Sequence, residues 1–139
     1  MTKAPVLLAL FAFTAAPALA ASPVDGMWRT QTRNGQVQIY DCGQALCGKL
    51  ITSDGLKADP ALKDVKNKDE GMRGRPLKDL VLLQGFTGGP SEWKGGSVYN
   101  AEDGKTYKGS IKLISPDQLK LTGCIVAPLC KTQTWNRIK

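Results

Sequence analysis

The segment from Gly26 to Ile51 alternates apolar and polar residues in short stretches separated by turn signals. Asn34-Gly35 favours the positive φ angles of a tight hairpin turn. Val37 and Ile39 then alternate with polar neighbours, as expected of a half-buried strand. A second turn and a third apolar stretch follow. The segment therefore predicts three consecutive antiparallel strands joined by hairpins.

The rest of the chain continues this pattern with one interruption. Residues 53–75 are rich in Lys, Asp and Gly, and they predict a long solvated loop with one helical turn near 61–66. About eight short strands are predicted, at 26–32, 36–41, 46–52, 80–84, 92–99, 105–114, around 119–123, and 132–138. Sequential antiparallel strands favour an all-β, up-and-down β-barrel, because closure removes exposed edges. An open two-sheet sandwich is the alternative.

Alternation within the predicted strands assigns nine apolar residues to the barrel interior: Val37, Ile39, Leu80, Leu82, Tyr107, Ile111, Leu113, Leu119 and Leu121. Gly109 and Gly123 fall on the same inward faces. Such glycines either let strands curve sharply or leave space for a pocket. The nine residues are therefore candidates for binding a small apolar or amphipathic molecule.

Four cysteines form two close pairs, Cys42/Cys47 and Cys124/Cys130, each flanking a turn-like segment. Facing hairpin positions lie within disulfide reach, which favours the two local bridges among three connectivities. Closing so short a loop stabilises a protein by only about 2 kcal/mol, so the bridges would mainly fix strand register. The alternative is a zinc ion bound by all four thiolates, although one spacer exceeds the usual length.

The first twenty residues have the composition of a signal peptide. Lys3 precedes an apolar run from residue 5 to 17, and Ala18-Leu19-Ala20 fits the small-x-small cleavage rule. The run is too short to span a bilayer, and no second apolar run follows. We therefore expect cleavage after Ala20, a single domain over 21–139, and a periplasmic or secreted location.

Histidine is absent, and the formal net charge is +7. The absence of histidine excludes Ser-His triads and imidazole metal sites, which argues against an enzyme. The basic interrupted region supplies Lys66, Lys68, Arg73 and Arg75 as candidates for binding an anionic lipid or glycan surface. Few aromatic residues and the predicted export argue against a nucleic-acid partner.

Oxygen-bearing side chains also gather in this region, at Asp64, Asn67, Asp69 and Glu70. Their spacing is not that of an EF-hand, and lysines interleave with them. We therefore predict a solvated loop here and no metal ion or other cofactor.

Several ordered motifs together resemble domain-of-unknown-function family 2147, a family of small exported bacterial proteins. The motifs are Gly26-x-Trp28, Val37-x-Ile39-Tyr40-x-Cys42-Gly43-x-x-Leu46-Cys47-Gly48-Lys49, Asn67-x-Asp69, Arg73-x-Arg75-Pro76-Leu77, Trp93-x-Gly95-Gly96, Tyr99, Glu102-Asp103-Gly104-Lys105-x-Tyr107, Gly123-Cys124 and Gln133-Thr134-Trp135-x-Arg137. The match covers essentially all of residues 21–139.

The resemblance implies a lipocalin-like barrel and brings no catalytic site with it. Lipocalins carry a Gly-x-Trp on the first strand and an arginine near the last. Since the first and last strands of a closed barrel pair, Trp28 and Arg137 are expected to stack, a contact worth about 1 kcal/mol. The expected function is non-enzymatic binding of a small molecule by an exported monomer. Interaction of the basic loop with the cell envelope is the alternative.

Overall fold

The protein forms a closed antiparallel β-barrel in a computed structural model that describes residues 2–15, 20–126 and 128–139. Within these residues the barrel has eight strands in sequential order: β1 (Gly26–Arg29), β2 (Gln36–Cys42), β3 (Ala45–Thr52), β4 (Val81–Gly88), β5 (Glu92–Asn100), β6 (Lys105–Ser115), β7 (Gln118–Val126) and β8 (Leu129–Arg137). The predicted up-and-down barrel is confirmed. Closure is made by β1 and β8, through the pairs Trp28↔Arg137 and Arg29↔Asn136.

The amino-terminal residues 2–15 form no helix or strand and are exposed. Ala18 and Leu19 of the predicted cleavage motif lie outside the described residues. No described helix is long and apolar enough to cross a bilayer.

The β1–β2 hairpin turns one residue earlier than the Asn-Gly signal predicts. Arg33 and Asn34 carry the positive φ angles, 54° and 47°, and the Gly35 amide donates to Thr32. Strand β1 ends at Arg29, short of the predicted Thr32, and the Thr30 hydroxyl donates to the Thr32 carbonyl within the turn. A longer connection therefore joins these strands at one end of the barrel.

The long loop, residues 53–80, contains its helical turn at a different place from the one predicted. Helix α1 spans Asp54–Ala58, and a 3-10 turn spans Glu70–Met72. The Ser53 hydroxyl caps α1 by accepting from the Leu56 amide, and the Leu56 side chain is buried. Residues 61–66 are not helical, so that prediction is wrong: capping and burial nucleate the turn at 54–58.

Strand β4 corrects one of the predicted inward residues, Leu80, and adds two buried ones. Its buried side chains are Leu83 and Phe86, whereas Leu82 is half-buried and Leu80 precedes the strand. Gly85 has a φ of 77°, and a register shift leaves an extra residue opposite β3. This bulge breaks the two-residue alternation on which the prediction rested. The predicted turn from Thr87 also begins later, because β4 continues to Gly88.

Both local disulfides are confirmed: Cys42–Cys47 joins β2 to β3, and Cys124–Cys130 joins β7 to β8. The predicted segment between the second pair includes Ala127, which lies outside the described residues. Disulfides indicate a non-cytoplasmic location, because they persist in oxidising compartments.

Candidate functional site

The alternation of strand directions gives the barrel two unlike ends. The β2–β3, β4–β5 and β6–β7 turns lie at one end together with residues 22–25. The β1–β2, β3–β4, β5–β6 and β7–β8 connections lie at the other, which includes the long loop. We name the first the closed end and the second the mouth.

The closed end is sealed by Trp28 and Arg137. The indole is fully buried, and its Nε1 donates to the Val24 carbonyl at 2.8 Å. The Arg137 guanidinium lies 4.4 Å from the indole ring centre. It also donates to the carbonyls of Asp25 and Pro23 at 2.7 and 2.6 Å. The stacking expected from the resemblance is present, and it fastens the segment before β1 across this end.

A pair of carboxyl groups lies beside this seal. Burial, together with the hydrogen bond to Asp41 and the charge of that neighbour, raises the pKa of Asp25 to about 7. Asp25 donates to Asp41, and this bond with those from Ser22 holds the pKa of Asp41 below its ordinary value. Asp25 Oδ1 is buried with no hydrogen-bond partner among the described residues. Asp25 is therefore a buried acid of the closed end whose ionisation falls near neutral pH.

Solid packing fills the half of the barrel next to the closed end. The Phe86 ring occupies the space over Gly96, where an added Cβ would lie 2.3 Å from the ring. Val98 and Phe86 also fill the space beside Gly109. Gly109 therefore allows close packing and leaves no pocket. The predicted inward residues Val37, Ile39, Ile111 and Leu119 are fully buried in this packed core, and Leu113 packs half-buried against it.

The mouth half of the barrel is hollow. A cavity of about 310 Å³ opens there, at the small end of the range of about 300–1,000 Å³ for ligand pockets. Its apolar walls come from the strands and the long loop, and they include Leu50, Leu62, Val65, Leu77, Leu82, Leu83, Val98, Leu121 and Trp135. Gly123 also borders the cavity, and Tyr107 packs against it, so that an added Cβ would lie 3.1 Å from the Tyr107 side chain. Of the nine predicted interior residues, Leu82, Tyr107 and Leu121 line this cavity.

Sequence reasoning missed several lining residues. Leu50 and Val98 alternate with the inward residues Gly48 and Gly96, and Trp135 lies two residues before Arg137. Extending the two-residue alternation through β3, β5 and β8 would have assigned these three residues to the interior. Leu62, Val65 and Leu77 lie in the long loop, where no periodicity marks a residue as inward.

The long loop is fastened over the mouth by the buried carboxylate Asp64. It accepts hydrogen bonds from Tyr99 on β5, from Asn67 at 2.9 Å and from Arg75 at 2.8 Å. The Arg75 guanidinium also lies 5.1 Å from the Tyr99 ring centre. The solvated loop predicted from Asp64 and Asn67 is corrected here, because both side chains are buried in this cluster, which we name the loop clamp.

The loop clamp also sets the ionisation of its members. Burial acts to raise the pKa of Asp64, but the hydrogen bonds from Tyr99, Asn67 and Arg75 outweigh it and hold that pKa below the ordinary value. Burial and the bond to Asp64 raise the pKa of Tyr99 to about 12. The clamp is therefore an ionised carboxylate with a neutral phenol and a guanidinium at neutral pH. Its donors occupy the oxygens that a metal ion would need.

A second contact seats the loop on the β5–β6 turn. The Lys66 carbonyl lies so close to Gly104 that a Cβ there would be 1.8 Å from it, and Gly104 has a φ of 72°. A side chain at this position would displace the loop. The loop therefore spans the mouth from β3 to the opposite side of the barrel.

The four predicted anion-binding residues are not brought together. Lys66 lines the cavity, while Lys68 and Arg75 line a groove of about 550 Å³ outside the barrel wall, beside Lys105. Arg73 instead donates to the Asn67 carbonyl at 2.8 Å and pairs loosely with Glu70. Anion binding by these residues stays a prediction.

Comparison with known proteins agrees with this geometry. A solved protein from Helicobacter pylori, described as "Protein HP1028 from the human pathogen Helicobacter pylori belongs to the lipocalin family", superposes with a TM-score of 0.76. The two are 26% identical over 85% of this chain and 84% of that one. No curated protein is similar enough to match. The sequence model described as "Uncharacterized protein conserved in bacteria (DUF2147)" matches residues 26–137, which span β1 to β8. The chain therefore belongs to the DUF2147 family and has a lipocalin-like fold.

Proposed function

We propose that the protein binds a small apolar or amphipathic molecule in the mouth half of its barrel, outside the cytoplasm and without catalysing a reaction. The observation that carries this proposal is the cavity of about 310 Å³ with apolar walls, beside a core packed solid. A barrel whose only role was structural would gain stability from filling that volume.

The fold and the disulfides support the proposal. Small lipocalin-like barrels have interiors of a size to hold one small ligand. The amino-terminal sequence and the disulfides favour export to the periplasm. An uncharged fluorescent probe, N-phenyl-1-naphthylamine, tests binding directly, since its emission rises in an apolar site.

A pair of matched variants locates the bound probe. Leu121→Trp puts an indole into the cavity, whereas Thr122→Trp puts the same group on the other face of β7. We expect Leu121→Trp to abolish the emission increase and Thr122→Trp to preserve it, with circular dichroism confirming that both fold. Native mass spectrometry of protein purified from periplasm would then show a co-purified molecule on the wild type. Absence of probe binding by the wild type, or equal binding by both variants, contradicts the proposal.

The groove outside the barrel supports a second candidate function, attachment to an anionic envelope surface. Lys68 and Lys105 line it and have no carboxylate within 4.0 Å among the described residues, and Asp69 is the one acidic residue of its lining. Arg75 also lines the groove, but Asp64 already neutralises it. Salt-sensitive retention on lipopolysaccharide that is lost in Lys68→Gln/Lys105→Gln, and kept in the control Lys120→Gln, is the expected result. Equal retention of both variants contradicts this function.

A further inference from the structure

Charge is distributed unevenly around the cavity. Four cationic side chains line it, Arg33, Lys63, Lys66 and Lys131, against the single carboxylate Glu102. Arg33 Nε lies 2.7 Å from Glu102, so these two neutralise each other at the rim. The three lysines have no carboxylate within 4.0 Å in the part of the chain that the structure describes. The side chains that line the cavity therefore carry a net positive charge.

Lys131 occupies an unusual position for a lysine. It pairs across the β7–β8 ladder with Gly123, whose position is buried, so it stands on the inward face of β8 with Trp135. Its Nζ lies 5.9 Å from the ring centre of Tyr107, which is also inward. Lys131 nevertheless remains exposed, so its ammonium stands hydrated and accessible at the cavity entrance.

Asp103, the carboxylate whose pKa Lys131 lowers, already has other partners. Asp103 accepts hydrogen bonds from the Tyr107 hydroxyl and from the Lys105 amide at 2.9 Å. Burial acts to raise the pKa of Asp103, but these bonds and the nearby lysines hold it below its ordinary value. Asp103 thus attracts Lys131 without a direct contact, and the Lys131 ammonium stays free to contact another anion.

The apolar part of the cavity lies below this charged rim. Leu50, Leu83, Val98, Leu121 and Trp135 form its walls, and no carboxylate lines that depth. A ligand that matches both regions has an apolar body and one anionic group at the end that faces the mouth. Glu102, already paired with Arg33, offers little attraction to a cationic group.

We propose that the cavity ligand is an anionic amphiphile, whose apolar body lies between Leu121 and Trp135 and whose acidic head contacts Lys131, Lys63 and Lys66. This inference rests on the proposed function, because it names the ligand class for the same cavity. Carboxylate, phosphate and sulfate heads share the required chemistry. Lys63 and Lys66 belong to the long loop, so the head also bridges the loop to β8.

Three decyl compounds with the same chain test the head group: decanoate, 1-decanol and decyltrimethylammonium. Competition against N-phenyl-1-naphthylamine at low salt measures each affinity. We expect decanoate to bind about tenfold more tightly than decanol, equivalent to about 1.4 kcal/mol, and decyltrimethylammonium to bind more weakly than either. The preference for decanoate should shrink as salt screens the rim.

Lysine variants assign the effect to the rim. Lys131→Gln should weaken decanoate binding several-fold and leave decanol binding unchanged. Lys120→Gln, on the outward face of β7, removes the same charge and should change neither affinity. Equal affinity of decanoate and decanol, or equal loss of both in Lys131→Gln, overturns the anionic assignment while cavity binding stands. Failure of the neutral probe and of every decyl compound to bind overturns the proposed function itself.

Discussion

Replacing Asp64 by asparagine tests whether one buried carboxylate holds the long loop over the mouth. The side chain is fully buried and accepts from Tyr99, Asn67 and Arg75. Asparagine has nearly the same shape, and its oxygen can still accept from Tyr99. It carries no charge, so the Arg75 guanidinium loses its ionic partner. The substitution therefore removes the charge of the loop clamp and sets the new amide NH2 against the Asn67 and Arg75 donors, with little change in packing.

The magnitude follows from the burial of the two partners. Breaking a fully buried ion pair costs about 3–5 kcal/mol. The Arg75 side chain is 34% exposed and can rehydrate, which reduces the cost. A hydrogen bond between charged groups is worth about 1.5–3 kcal/mol, so we expect the loop to lose about 2 kcal/mol of docking free energy. The barrel itself loses less, because the loop can detach before the strands separate.

Native-state hydrogen exchange separates these two events. The Leu77 amide, which donates to Leu62, and the Asp64 amide, which donates to Arg75, report loop docking. Both should exchange roughly thirtyfold faster in Asp64→Asn, the equivalent of about 2 kcal/mol, while strand amides change little. Glu70→Gln removes an exposed carboxylate from the same loop and is the control. Unchanged exchange at Leu77, or the same change in both variants, would refute the clamp.

Three further predictions concern the barrel. Asp25 has a pKa raised to about 7, so its contribution to stability is complete below pH ~4 and is lost progressively as the pH rises from there through about 7; Asp25→Asn should come closest to the wild type in urea unfolding at pH ~4 and exceed it at pH 8. Arg137→Lys cannot keep both the carbonyl bonds and the indole stacking, and should lower the free energy of unfolding by about 2 kcal/mol; a loss under half of that contradicts the closure argument. Gly96→Ala places a Cβ 2.3 Å from Phe86 and should cost about 1–3 kcal/mol, measured by urea unfolding, whereas Gly74→Ala, with no atom within 4 Å, should be near neutral.

Local signals in the sequence were enough for the barrel but not for the loop. Period-two alternation, hairpin turns and cysteine pairs act between neighbours in the chain, and they predicted the strand order and both disulfides. The loop clamp joins Asp64 to Tyr99, which is 35 residues away. Nothing near Asp64 in the sequence marks it as buried, since acidic loop residues are usually exposed. Its burial depends on a partner that only the closed barrel supplies.

The position of the cavity could not be predicted for a related reason. Glycines on inward faces were compatible with either close packing or a pocket. In the structure Phe86 fills the space at Gly96 and Tyr107 packs against Gly123, so both glycines serve close packing, although Gly123 also borders the cavity. Which outcome applies depends on the size of the side chain opposite each glycine, and the Gly85 bulge decides that Phe86 points inward. A one-residue change in the register of β4 would have pointed Phe86 outward.

The closed end of the barrel mainly supplies stability, whereas the mouth holds the proposed binding cavity. Large aromatic side chains lie in the closed half, where Trp28 and Phe86 fill the interior and Arg137 seals it. The mouth half has an unfilled cavity, an inward lysine and a loop held by a few polar contacts. Because the closed half supplies most of the packed core, the mouth can keep an unfilled volume and unpaired cations without unfolding the barrel. Substitutions at the mouth should therefore change ligand affinity more than stability, and substitutions at the closed end the reverse.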